Sequence, residues 1–181
     1  MVILLCSFAV LGVYDGFYLH IYKYRLYEHK ESKGEHLTHT VRGILFPLIL
    51  YCCYLTSSPA WFFAGLGILA LDVIVTIVDA YIEKDSRAFM GGLPRWEYII
   101  HLLVNGFHFA SIAVFLVIKI RMTATGITLV NQFDHTRAYP VFIELVKYLI
   151  PGAIAIALLH IAVSIPFTAY YWNAFRARLS K

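Results

Sequence analysis

The sequence predicts an all-α protein, a polytopic membrane helix bundle with about five transmembrane helices, its N-terminus outside and its C-terminus cytoplasmic. Three observations lead there. Of the 181 residues, 60% are hydrophobic and the mean hydropathy is +0.71, whereas a soluble domain is roughly 45–50% apolar. Five apolar runs approach the roughly 20 residues needed to cross a hydrocarbon core. The turn at 23–42, the connection at 84–95 and the C-terminus hold eleven of the fifteen Lys and Arg residues, an asymmetry that marks the cytoplasmic side. The chain is read as a single integral membrane domain over 1–181, in an inner or plasma membrane.

The first span runs from Val2 to about Tyr24 and is interrupted by Asp15 and His20. It has no basic leader segment and no small-residue cleavage site, so it reads as a retained span. The second helix starts near Glu35 after a polar turn broken at Gly34, and Pro47 should kink it. The third span covers Ala60 to about Glu83. The fourth runs from about Arg95 to Ile120, with Pro94 placed where a helix start needs no N–H. Residues Arg121 to Pro140 form the longest polar connection, part of which its composition assigns to the membrane interface. A fifth span follows from about Val141 to Trp172, with bends at Pro151 and Pro166.

The spans carry unusual polar residues. Glu97, His101, Asn105 and His108 step by four, four and three along one stripe of the fourth helix. Asp72, Thr76, Asp79 and Glu83 do the same on the third. Charges cannot face lipid cheaply, so these stripes must meet one another or line water. The topology places His20, Glu35, His36, His39, Asp79, Glu83, Glu97 and His101 near the cytoplasmic boundary. Asp15, Asp72 and His108 fall deeper, about 15 Å in at 1.5 Å per residue. His160 can reach that deeper level from the fifth helix.

Carboxylates mixed with imidazoles suit iron, manganese or zinc. The expected metal ligands are His36, His39, Asp79, Glu83, Glu97 and His101, with His20 and His29 next. Glu97, Asp72 and His108 are the candidate catalytic groups. The competing reading is a hydrogen-bond and ion-pair network that fixes helix register. Glu97-xxx-His101 is one residue wider than the Glu-x-x-His of ferritin-like bundles, and there is no HExxH motif and no HxxHH or HxxxH box. His135, Asp134 and Glu144 read as surface groups, and Trp61, Trp96 and Trp172 as an interfacial belt. Cys6, Cys52 and Cys53 lie in apolar runs and read as buried free thiols.

These residues favour a membrane metalloenzyme, a non-haem oxidoreductase with two iron ions. Its substrate would be a membrane lipid or another lipid-like or quinone-like amphiphile reached near the cytoplasmic face, and the reaction implies a redox partner. Iron is preferred because a catalytic zinc usually needs only three protein ligands. The alternatives are a zinc-dependent membrane hydrolase, a haem b electron-transfer protein with paired axial histidines, and a proton- or ion-conducting bundle using the buried acids. Five spans without a visible repeat do not suit a two-half transporter unless the protein oligomerises. A net charge of +4 gives no support for nucleic-acid binding.

Overall fold

The computed structural model describes residues 1–124, 126–130 and 138–179; His135 and Asp134 lie outside them. Helix α1 (Val2–Gly12) continues as a π-helical stretch, Val13–Lys23. Two short 3₁₀ turns, Leu26–Glu28 and Lys30–Ser32, lead into α2 (Lys33–Ile49), which ends in a second π-helical stretch, Leu50–Leu55. Helix α3 (Pro59–Ser86), a 3₁₀ turn (Ala88–Met90) and α4 (Arg95–Lys119) follow. A small antiparallel hairpin, β1 (Ile120–Thr123) and β2 (Gly126–Leu129), comes before α5 (Ala138–Ser164) and α6 (Pro166–Leu179).

Among the described residues, five helical stretches are long and apolar enough to cross a membrane. They run up and down. Lys30–Leu55, which contains α2, is the central one: 50% of its most apolar window is buried, against 17–28% for the other four. It packs on α3 and α5, while α1 packs on α4.

The larger hydrophobic cluster sits at one end of this bundle, and a smaller one, Ile21, Tyr27 and Val163, lies at the other. Leu5 from α1, Leu50 and Tyr54 beyond α2, Phe62 from α3, Phe115 from α4 and Phe142 from α5 form one buried cluster. Tyr54, Phe115 and Phe142 pack ring on ring, with centroids 4.6–6.0 Å apart. Tight crossing sets this end: a Cβ on Gly65 would stand 2.7 Å from Cys53 Sγ and 2.9 Å from Cys52 Cβ. The three cysteines are free, as their apolar setting implies. At the opposite end the helices converge on charged groups.

Two differences from the expected elements have local causes. The fifth span stops at Ser164 because Pro166 lacks an N–H and its ring clashes with the preceding turn, so α6 starts as a separate helix. It is tied back at the charged end, where the Tyr27 hydroxyl donates to Asn173 Oδ1 (2.7 Å) and Asn173 Nδ2 donates to Glu28 Oε1 (2.6 Å). Burial pushes the Tyr27 hydroxyl up to about 12, so it remains a donor at physiological pH. The 121–140 connection opens as the hairpin, whose tight turn uses Gly126 at φ +123°. Trp61 and Trp96 are exposed near the starts of α3 and α4, where a belt would put them.

Candidate metal centre

Arg87 stands at the middle of the polar end. It follows α3 in a turn whose chain reversal needs Gly91 and Gly92 at φ +86° and +108°. The Arg87 carbonyl accepts from the N–H groups of Met90 (3.1 Å) and Gly92 (3.0 Å), which fixes that turn. Its side chain points inward and is fully buried. Nε donates to Glu97 Oε1 at 2.9 Å, Nη2 to the same oxygen at 2.5 Å, and Nη1 to Glu35 Oε2 at 2.5 Å. Ser32 Oγ donates to the Ser86 carbonyl at 2.6 Å, anchoring the same corner. Tyr24 stands beside it, its hydroxyl pKa raised by burial and then by the Glu97 carboxylate.

Around Arg87 two groups of three side chains bring ligand atoms within 4.8 Å of one another: Asp15, His20 and His101, and His20, Glu35 and His39. His20 belongs to both. Arginine has no acceptor, so the 3.1 Å contact from Arg87 Nη2 makes His20 Nε2 the acceptor. That unprotonated nitrogen faces Asp15 Oδ1 at 3.3 Å and Glu35 Oε1 at 3.6 Å. Three acceptor atoms thus converge on one space; the Arg87 guanidinium already donates to His20 Nε2 there, and a metal ion would ligate that nitrogen only by displacing Arg87 from it. His20 Nδ1, Glu35 Oε1 and Glu97 Oε2 are buried without a hydrogen-bond partner.

Helix winding explains Asp15. The α-helical period puts residues five apart at roughly 140° to one another, and depth alone assigns Asp15 to the deeper level with Asp72 and His108. In the π-helical stretch, where hydrogen bonds run from i to i+5, Asp15 and His20 instead share a face. Asp15 also lies 2.9 Å from His101 Nε2, and so joins the group nearer the helix ends.

The other expected ligands distribute around these groups. His101 Nδ1 pairs with Glu83, and His39 Nε2 lies 3.3 Å from Asp79 Oδ2. The Thr38 hydroxyl lies within reach of both Asp79 and the Glu35 carbonyl (2.7 Å), and its single proton serves one of them at a time. Glu97 is held by Arg87 and stands 4.0 Å from His101 Nε2, outside both three-residue groups. His36 turns away: its Nε2 is 3.2 Å from the His160 carbonyl and 3.0 Å from Ser164 Oγ, and its ring stacks on His160 at 5.2 Å. His29 stacks on Phe89 with centroids 3.8 Å apart, on the connection before α2. Asp72 and His108 form a buried pair at 2.9 Å, one layer further in. Arg42 links the layers: Nε lies 3.5 Å from Asp72 Oδ1, Nη1 lies 3.8 Å from Asp79 Oδ2, and Nη2 donates to Asn105 Oδ1 at 2.8 Å.

Sequence reasoning gave Arg87 no role in this site. Lys84-Asp85-Ser86-Arg87 carries charge ahead of a glycine turn, the composition of a solvated connection, and only the inward turn of the chain exposes its part. Glu35 was visible four residues before His39 but was not placed among the ligands. No protein-family model, no curated protein and no solved structure matches the chain.

Proposed function

We propose that this protein is a metal-dependent membrane enzyme, a non-haem oxidoreductase holding two iron ions and acting on a lipid-like or quinone-like substrate from the bilayer. In this reading the site end faces the cytoplasm and electrons pass to or from a redox partner. The observation that carries it is the pair of three-residue His/carboxylate groups sharing His20, built from α2, α4 and the π-helical stretch of the first span.

Charge supports it. Asp15, Glu35, Asp72, Asp79, Glu83 and Glu97 crowd the polar end, with Arg42 and Arg87 as the guanidinium counter-charges. The excess of about four negative charges is untenable in a low-dielectric bundle. Two divalent ions would balance it. The number of carboxylates favours iron over a catalytic zinc, which needs only three protein ligands. His36 and His160 stack face to face, with centroids 5.2 Å and ring planes 19° apart, and so do not serve as the two axial ligands of one haem.

Iron bound there would supply one-electron and oxygen chemistry. The chain's own part is to hold imidazoles and carboxylates in place, to fix Glu35 and Glu97 through the hydrogen bonds of Arg87, and to hold a proton between Asp72 and His108. Elemental analysis and an absorption spectrum of protein expressed with iron and zinc supplied test the reading. About two irons per chain without a Soret band are expected. Stoichiometric zinc would favour a hydrolase, a Soret band would favour haem, and folded protein without metal would leave the ion-pair network as the explanation.

A further inference from the structure

A cavity of about 210 Å³ opens beside the metal-ligating groups. We propose that it binds the uncharged ring head of a lipid-dissolved quinone or quinol, with the tail leaving between α1 and α5. The catalytic meaning of this site rests on the metalloenzyme reading above; the binding itself does not.

Its construction argues for that occupant. Phe8, Gly12 and Gly16 of the first span and Tyr148 and Gly152 of α5 form the walls, and α2, α3 and α4 close the inner end. Small residues keep the two walls apart: a Cβ on Gly152 would meet no heavy atom within 4 Å, and one on Gly16 would meet only His160 Nε2, at 3.7 Å. Tyr148 at the rim is 79% exposed, so the opening faces outward from the bundle, where lipid would lie. The volume exceeds the roughly 150 Å³ of a cavity that takes up benzene, which suits a substituted ring.

The inner end is polar. Arg42, Asp72 and His108 line it, and Asp15 and His39 connect it to the two three-residue groups. His108 and His160 are 3% and 2% exposed, and each keeps its Nδ1 without a hydrogen-bond partner. An alkyl chain entering tail-first would leave these atoms unsatisfied, at a cost that a hydrogen-bonding head avoids. A carboxylate or phosphate head would meet Asp15 and Asp72, while Arg42 is already engaged by Asp72 and Asp79. The chemistry that remains is a neutral ring with oxygen acceptors or hydroxyl donors, flanked by Phe8 and Phe46, whose rings also lie 4.6 and 5.9 Å from that of His108.

Equilibrium dialysis of a decyl-tailed benzoquinone against the full chain in detergent, with metal content measured on the same samples, tests this. Saturable binding is expected, weakened at least about tenfold by Gly152→Phe without a change in metal content. Gly67→Phe is the control, because its Cβ also meets nothing within 4 Å and Gly67 is not part of the cavity wall. Gly152→Leu gives a second, smaller block should the phenylalanine variant aggregate. Absence of saturable binding, wild-type binding by both Gly152 variants, or equal displacement of the quinone by palmitate would overturn the proposal. Quinone binding by metal-free protein would retain this site and remove the metal reading; metal without quinone binding would do the opposite.

Discussion

Arg87 decides the character of the polar end. A fully buried guanidinium donates to two buried carboxylates from different helices, Glu35 and Glu97, and to the imidazole of His20. Removing one partner from such a set costs far more than the set contributes as a whole, because the remaining charges stay buried. Arg87→Met should therefore lower stability by about 3–5 kcal/mol, read as a fall in the thermal unfolding midpoint in detergent. Adding Glu97→Gln should recover part of that loss, and an unchanged midpoint in the single variant would show that water reaches these groups. The stripe on α4 was legible from spacing alone, since residues four apart share a helix face and Glu97 and His101 do so here. Their partners were not legible, because the counter-charge comes from a turn whose inward course no local pattern encodes.

At the scale of elements, two departures from α-helical winding shape the molecule. The π-helical stretch Val13–Lys23 brings Asp15 under His20, and Leu50–Leu55 carries Cys52 and Cys53 against α3. An apolar run shows that a helix crosses, but it does not show where its hydrogen bonding shifts from i−4 to i−5, so the depth of Asp15 escaped the sequence. Pro94, expected at a helix start, is the N-cap of α4, whereas Pro166, expected as a bend, starts a separate helix. Gly65 marks the closest helix approach. Gly65→Leu should cost about 1–3 kcal/mol through overpacking, measurable by the same unfolding assay, whereas Gly67→Leu, with open space around its Cβ, should leave the midpoint near that of the wild type. A Gly65 variant as stable as wild type would show that α3 can move away from the end of the second span without loss.

Over the whole molecule, the bundle separates its tasks. Aromatic and aliphatic packing holds one end, and ionisable groups from every span fill the other. This division was readable in the sequence, because an antiparallel order of five spans places the polar ends of successive helices on one side. The excess of Lys and Arg on that side is the ground for proposing that it faces the cytoplasm. Reporter fusions should accordingly find the C-terminus cytoplasmic and the N-terminus outside; both termini on one side would contradict five crossings. Which polar groups touch was not readable, since it depends on the rotation of each helix about its axis. The central claim is that the shared histidine holds metal. The metal-to-protein ratio of wild type and His20→Ala, purified side by side and equally folded, tests it most directly. The account predicts about two ions per chain in the wild type and nearly none in the variant, because His20 stands in both groups; equal metal content in the two proteins, or none in either, would contradict it.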